Sequence, residues 1–170
     1  VCAGFVYAMS FASTLISSGI YKKILIVASE TYSKHMTTDD RNCVFFGDGA
    51  GAVIMGTSVN GWNVSEISSN GNGSGMTGFR MPLAGNFTMK GKEVWDQAVR
   101  VLPESIKSVM KEAELNVEDI KMLVPHQPSI NILKSVAKDV GMSMDKVKAV
   151  QHIYGNIAGA SIPIALHDAL

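Results

Sequence analysis

The chain has 170 residues, of which 46% are hydrophobic and 18% are charged. This composition is sufficient for a hydrophobic core and excludes an intrinsically disordered chain. Fifteen basic and fifteen acidic side chains give a formal net charge of zero, which argues against general binding to nucleic acid or to an anionic membrane. Two cysteines and the lack of a long apolar run favour a cytoplasmic protein without disulfides or membrane spans.

The first half of the chain predicts a helix followed by strands. Apolar residues at helical spacing after Cys2 predict a helix that ends at Gly19. The run KKILIVASE has the composition of a strand buried on both faces, and CVFFGDGAGAVIMG and WNVSEISS indicate two further strands. The glycine- and asparagine-rich stretch at 70–86 predicts a loop between two subdomains.

The second half predicts helices that alternate with short strands. A helix at 94–113 contains Pro103, which we expect to kink or divide it. A strand at 120–124, a helix ended by Gly141, a strand at 148–153 and a final helix from about Ile157 follow. This alternation predicts an α/β fold with a mostly parallel sheet.

The ends of the sequence suggest a segment of a longer protein. The chain starts without methionine, close to a helix, and stops in the helical sequence SIPIALHDAL. Strands that should flank KKILIVASE would then lie outside the chain. We therefore expect exposed hydrophobic faces or strand edges, and self-association.

Cys2 immediately precedes the first predicted helix. The free N–H groups and the dipole of a helix N-terminus favour a thiolate over a thiol, which would make this sulfur a nucleophile. Gly4 would let another group approach the sulfur closely. A free cysteine is also often a small buried hydrophobic residue, so the position alone leaves both interpretations open.

Two further polar residues occupy positions that suit a ligand site. His126 follows the predicted strand at 120–124, and open α/β sheets bind ligands beyond the carboxyl ends of their strands. Prolines on both sides of the His–Gln pair restrict the local backbone, although a purely structural histidine remains an alternative. Asn156 precedes the last helix, where it is either a helix cap or a fixed amide donor.

The stretch GDGAGA formally matches a dinucleotide-binding pattern at Gly47, Gly49 and Ala52. That pattern should leave a strand and open a helix, whereas AVIMG continues as a strand. We therefore predict no dinucleotide cofactor and interpret the glycines as sites of close backbone approach. The scattered cysteines and histidines predict no metal site.

A cysteine, a histidine and an amide donor together suit acyl-thioester chemistry. The same residue types serve papain-like proteases, but the surround VCAGF differs from the one typical of that group. Five stretches, VCAGF, FGDGAGAV, MKGKEVW, LVPHQPS and YGNIAGASIPIAL, in this order resemble β-ketoacyl-acyl-carrier-protein synthase III of the thiolase superfamily.

The resemblance implies an α/β, thiolase-like, layered αβαβα fold, here incomplete, and a homodimer. Residues 1–70 would be the end of the N-terminal thiolase-like half, 71–89 a connecting loop, and 90–170 a truncated C-terminal half. It implies an acyltransferase that starts fatty acid biosynthesis by decarboxylative Claisen condensation, without a cofactor.

The resemblance also implies the substrates and the role of each residue. Cys2 would take an acyl group from acyl-CoA, and malonyl-acyl carrier protein would lose CO₂ and attack the acyl-cysteine. His126 and Asn156 would donate hydrogen bonds to the enolate oxygen. The residues assigned to CoA and the acyl chain are Phe46, Gly91, Arg41, Pro128 and Ser129. The residues assigned to the carrier protein are Gln127, Pro128, Ser129, Ile130 and Asn131.

Two alternatives remain open. Asn131 occupies a position that arginine usually holds in the family, which would suit a related condensing enzyme of secondary metabolism, of the polyketide or alkylquinolone type. The segment is alternatively a non-catalytic folded or dimerising fragment. Because tunnel walls and part of the oxyanion hole are expected outside the chain, we expect the isolated fragment to be inactive.

Overall fold

The computed structural model describes residues 1–57, 79–80 and 87–170. The predicted strand in WNVSEISS and most of the predicted loop at 70–86 lie outside these residues. The helices are α1 (Gly4–Ser17), α2 (Gly91–Glu112), α3 (Ile130–Val140), α4 (Gln151–Tyr154) and α5 (Ser161–Ala169). The strands are β1 (Lys23–Thr31), β2 (Asp48–Gly56), β3 (Phe79–Arg80) and β4 (Thr88–Met89). Short 3₁₀ turns cover Tyr32–Lys34, Arg41–Phe45, Met144–Lys146 and Ala158–Ala160.

Strands β1 and β2 form a nine-residue antiparallel pair that runs from Lys23 opposite Gly56 to Thr31 opposite Asp48. The prediction of a mostly parallel sheet is therefore wrong for this pair. The segment between the two strands contains 3₁₀ turns and no α-helix, whereas the crossover of a parallel pair is usually an α-helix. Parallel pairing in the described residues is confined to the single bridges Phe46–Asn156 and Leu123–Val147.

Strand β1 buries one face rather than two. Ile26 is 6% exposed and packs with Phe5 and Ala12 of α1. Its neighbours Leu25 and Val27 point the other way and are 63% and 60% exposed. The prediction of burial on both faces is wrong within this chain, whereas the expectation of exposed hydrophobic strand side chains is confirmed.

The glycines of the GDGAGA stretch let β2 lie directly against the C-terminal part of the chain. A Cβ atom at Gly47 would overlap the main-chain carbonyl oxygen of Tyr154. One at Gly51 would lie 2.9 Å from the ring of Pro163 in α5, closer than real Cβ contacts. The structure thus confirms the prediction of close backbone approach.

The C-terminal part has its own hydrophobic cluster, formed by α3 and the segment after it: Leu133, Ala137, Met142 and Val147. Helix α3 begins after Ser129, whose hydroxyl accepts a hydrogen bond from the Ile132 N–H, and ends at Gly141 in a left-handed conformation, φ +80°. Both ends follow ordinary capping rules, and the predicted helix is confirmed.

Three predicted details of this part are corrected. Helix α2 continues through the buried Pro103 as one helix, so the proline does not divide it, while the alternative of a kink stays a prediction. The predicted strand at 120–124 contributes only the bridge at Leu123. The predicted strand at 148–153 instead turns into α4, because the Val150 N–H donates to the Gln127 side chain and not to a neighbouring strand.

We predict that Gly47→Ala lowers the free energy of unfolding by about 2 kcal/mol, because the added methyl group must displace the main chain at Tyr154. Urea unfolding measures this change. Gly91→Ala is the matched control, since nothing lies within 4 Å of the position of its Cβ atom. Equal stability of the two variants would contradict the close approach of β2 to residue 154.

Candidate active site

Cys2 lies in the turn that leads into α1, whose first helical residue is Gly4. The Gly4 N–H donates to the carbonyl oxygen of Val1, 2.8 Å away, which closes this turn. The half-buried Cys2 packs against a buried cluster of Tyr32, Phe87 and Ala158. The sulfur therefore lies among residues from widely separated parts of the sequence.

Burial raises the pKa of the Cys2 thiol above its ordinary value, and the nearby Glu30 carboxylate acts in the same direction. The helix N-terminus was expected to favour the thiolate, whereas loss of solvation, the largest cause of the pKa shift, favours the thiol. The thiol is therefore protonated at neutral pH, and a base has to remove its proton before the sulfur can act as a nucleophile.

His126 is held by the main chain of Ala158. Its Nδ1 atom lies 3.1 Å from the Ala158 carbonyl oxygen. Because a carbonyl oxygen only accepts hydrogen bonds, Nδ1 carries a proton. Burial lowers the pKa of His126 to about 4, so the ring is neutral at neutral pH. Its Nε2 atom then carries a lone pair and can accept a proton, which differs from the expected resting role as a donor.

Asn156 is 7% exposed and is held by both its main chain and its side chain. Its N–H donates to the Phe45 carbonyl oxygen at 2.8 Å, and its carbonyl oxygen accepts from the Gly47 N–H at 3.1 Å. Its side-chain Oδ1 accepts from the Ala158 N–H at 2.9 Å. This bond fixes the orientation of the amide group and leaves Nδ2 as a donor with no acceptor in the described part of the chain.

Ala158 thus connects the three predicted catalytic residues. Its N–H holds Asn156 and its carbonyl oxygen holds His126, while its side chain belongs to the cluster against which Cys2 packs. The alternative that Asn156 caps the last helix is wrong, because α5 begins only at Ser161. Its Oδ1 instead holds the turn at Ala158, and Nδ2 remains available to a ligand. The structure therefore joins His126 and Asn156 at Ala158 and places Cys2 against the cluster to which Ala158 belongs.

An aromatic cluster lies beside this centre. The ring of Phe46 stacks on Tyr32 with centroids 4.9 Å apart and meets Phe87 edge-on at 5.1 Å. Phe79 packs edge-on against Phe87 at 4.9 Å. Phe46 was predicted from the sequence to lie near the acyl site, whereas Tyr32, Phe79 and Phe87 were missed. For Tyr32, the available signal in the sequence was its position as an aromatic residue directly after β1, the strand that follows α1.

Glu30 is a second residue that the sequence analysis missed. Its Oε1 atom accepts a hydrogen bond from the Gly159 N–H at 3.1 Å. This bond joins the end of β1 to the turn that carries Ala158. No sequence pattern indicated the pairing, because the two residues are 129 positions apart.

The predicted outer residues lie at or near the surface. Arg41, Gly91 and Asn131 are exposed, and Pro128, Ser129 and Ile130 are half-buried. Ser129 also caps α3. In the described part of the chain, no hydrogen bond joins any of these residues to Cys2, His126 or Asn156, so their predicted binding roles depend on a substrate that reaches them.

Gln127 is the exception, and its predicted contact with a carrier protein is wrong. The side chain is 1% exposed. Its Nε2 atom donates to the carbonyl oxygens of Pro125 and Lys148, each at 2.9 Å. Its Oε1 atom accepts from the Val150 N–H at 2.8 Å. Gln127 is therefore an internal support for the segment that carries His126.

Residues 1–57, 79–80 and 87–170 contain no cluster of three or more histidine, cysteine or acidic side chains that could hold a metal ion. None of the described helices has the length and apolar character needed to cross a membrane. Cys2 and Cys43 are both free thiols.

Two family models match the chain. One, described as 3-Oxoacyl-[acyl-carrier-protein (ACP)] synthase III, matches residues 1–73, and the model of the C-terminal part of the same family matches residues 110–170. The beta-ketoacyl-[acyl-carrier-protein] synthase III of Clostridium acetobutylicum is 40% identical over 181 residues, which cover 98% of this chain and 56% of that protein.

Solved structures show the same similarity in three dimensions. The 3-oxoacyl-[acyl-carrier-protein] synthase III of Aquifex aeolicus VF5 superposes with a TM-score of 0.94 and 35% identity, covering 99% of this chain and 55% of that one. The priming β-ketosynthase of the R1128 polyketide biosynthetic pathway superposes with a TM-score of 0.88 and 29% identity, over 99% and 54%. The chain spans about half the length of these relatives.

The fold and the arrangement around Ala158 define an α/β protein of the thiolase-like class. Within that class, the chain belongs to the 3-oxoacyl-[acyl-carrier-protein] synthase III family.

We predict that Gln127→Met lowers the free energy of unfolding by about 3 kcal/mol, because two carbonyl oxygens and the Val150 N–H lose their partner. Gln97→Met, at an exposed position on α2, is the matched control and should change stability little. Thermal and urea unfolding measure both variants. A Gln127 variant as stable as the wild type would contradict the supporting role.

Proposed function

We propose that this chain carries three catalytic residues of a β-ketoacyl-acyl-carrier-protein synthase III. Cys2 is the nucleophile, His126 accepts a proton, and Asn156 donates a hydrogen bond. The reaction is the decarboxylative Claisen condensation of an acyl-CoA with malonyl-acyl carrier protein, which starts fatty acid biosynthesis. The observation that supports it most directly is the joint attachment of His126 and Asn156 to Ala158, beside Cys2.

In the first step, the Cys2 sulfur attacks the thioester carbonyl of acyl-CoA. Nε2 of the neutral His126 accepts the thiol proton as the new carbon–sulfur bond forms. The CoA thiolate leaves and recovers this proton. The raised pKa of the Cys2 thiol makes such a base necessary.

In the second step, the bond between the malonyl carboxylate and its α-carbon breaks, and CO₂ leaves. The electron pair passes into an enolate, and the Asn156 Nδ2 group donates a hydrogen bond to the enolate oxygen. His126 donates from Nε2 only when its ring carries a second proton. The enolate carbon then attacks the acyl-cysteine, and the bond between the acyl carbon and the Cys2 sulfur breaks. The departing thiolate takes up a proton from solvent, the one proton that the overall condensation consumes.

The surrounding residues serve substrate binding in this proposal. Phe46 lines the acyl site, because it belongs to the aromatic cluster beside Cys2. Arg41, Gly91, Pro128 and Ser129 contact CoA, and the stretch from Pro128 to Asn131 meets the carrier protein. Lys134 and Lys138, both exposed on α3, give this face positive charge suited to an acidic partner.

We further propose that the functional protein is a cytoplasmic homodimer that needs no cofactor and binds neither nucleic acid nor membranes. Residues 1–70 and 90–170 would belong to its two thiolase-like halves, joined at 71–89. Because the chain spans about half the length of its relatives, we expect residues 1–170 alone to be inactive. Assays therefore require the longest form of the protein that carries this chain.

Radiolabelled acetyl-CoA should transfer its acetyl group to Cys2 of that protein. We expect Cys2→Ala to remove the label, since Cys2 is the proposed site of the acyl intermediate. Cys43→Ala is the matched control and should retain the label, because Cys43 is not among the residues that pack against the cluster of Tyr32, Phe87 and Ala158. Label that persists without Cys2, or that never appears, would overturn the proposed function.

Asn156→Ala separates the two chemical steps. We expect decarboxylation of malonyl-acyl carrier protein to fall by a factor on the order of 100, as for loss of an oxyanion donor. Transfer of the acetyl label to Cys2 should fall by less than a factor of about 10. Asn116→Ala, on the exposed surface, serves as the control. Equal loss of both steps would contradict the assigned role of Nδ2.

A further inference from the structure

The turn that holds the site contains a non-glycine residue in a left-handed conformation. Ala158 has φ +39°, in the region that L-amino acids with a Cβ atom avoid. It is completely buried. Ala160, two residues later, is equally buried but has an ordinary φ of −77°. Strained residues that the surrounding structure keeps in place are often found at functional sites.

The unusual conformation allows one peptide segment to serve two side chains. The N–H of Ala158 meets Asn156 Oδ1 at 2.9 Å, and its carbonyl oxygen meets His126 Nδ1 at 3.1 Å. The next N–H along the chain, that of Gly159, is held by Glu30 at 3.1 Å. Two residues earlier, the main chain of Asn156 is anchored to Phe45 and Gly47. The turn is therefore restrained on both sides of Ala158.

We propose that Ala158 is a positioning residue, whose left-handed backbone fixes the tautomer of His126 and the amide orientation of Asn156 together. The carbonyl oxygen of Ala158 requires the proton of His126 on Nδ1 and so leaves Nε2 unprotonated. The adjacent N–H requires Oδ1 of Asn156 to face the turn and so directs Nδ2 away from it. One backbone conformation thus prepares an acceptor and a donor at once.

The proposal rests on the proposed function only for its effect on catalysis, since the tautomer of His126 can be measured without any substrate. Nitrogen-15 NMR of the histidine ring distinguishes a proton on Nδ1 from one on Nε2. We expect the wild-type protein at neutral pH to show His126 with the proton on Nδ1. A wild-type spectrum with the proton on Nε2 overturns the proposal directly.

Two matched substitutions test the role of the backbone. Ala158→Val places a β-branched side chain where φ is positive, which such residues strongly resist, whereas Ala160→Val adds the same volume at an ordinary φ. We expect Ala158→Val to move His126 towards the Nε2 tautomer and Ala160→Val to leave it unchanged. If both variants shift the tautomer equally, or neither does, the proposal is wrong.

Catalytic measurements complete the test. In the longest form of the protein, Ala158→Val should reduce acetyl transfer to Cys2 by a factor on the order of 100, because Nε2 of His126 no longer accepts the thiol proton. It should also reduce malonyl decarboxylation by a factor on the order of 100, because Nδ2 of Asn156 loses its orientation. Ala160→Val should keep the wild-type value of both rates. Absence of acetyl transfer in the wild type would reject the proposed function, while the tautomer measurement would still decide the role of Ala158.

Ala158→Gly covers the case in which the valine variant does not fold. Glycine adopts a positive φ without steric conflict and retains both backbone groups. We expect this variant to keep the Nδ1 tautomer of His126. A change to the Nε2 tautomer would show that the methyl group, and not the backbone, positions the ring, and would overturn the proposal.

Discussion

The main-chain contact between the start of β2 and the turn at Asn156 is the constraint on which the site depends. Asn156 exchanges hydrogen bonds with Phe45 and Gly47 through its own N–H and carbonyl oxygen. This exchange requires the two backbones to approach so closely that a side chain at Gly47 would overlap the carbonyl oxygen of Tyr154. Gly47, directly before β2, therefore allows the turn that holds the predicted catalytic residues to pack against the sheet.

Burial gives the site a neutral resting state. The pKa of the Cys2 thiol is raised and that of His126 is lowered, in both cases mainly through loss of solvation. A thiolate–imidazolium pair is therefore disfavoured, and the residues rest as thiol and neutral imidazole. In the proposed reaction, the nucleophile forms only as its proton moves to Nε2 during attack. The unfavourable burial of a charged thiolate and imidazolium is thereby limited to the step in which Cys2 would react.

The sequence predicted the three central residues but not what connects them. Cys2 and His126 stood out because a helix start and flanking prolines give local signals. Ala158 gave none, because its positive φ results from restraints supplied by residues far away in sequence, such as Glu30. The antiparallel pairing of β1 was missed for a similar reason. Alternation of helices and strands predicts parallel sheets on average. The pairing of β1 with β2 is instead antiparallel, and the connection between them contains no crossover helix.

The stretch PHQP shows how chemistry and support are divided between neighbours. A residue before proline is held in extended backbone, which applies to Gln127, and successive side chains in extended backbone point to opposite sides. His126 faces the Ala158 turn, so Gln127 has to face inwards, where its three hydrogen bonds hold Pro125, Lys148 and Val150. Gln127 therefore supports the backbone beside the predicted catalytic His126 and does not bind a ligand. Its full burial decides between these two roles.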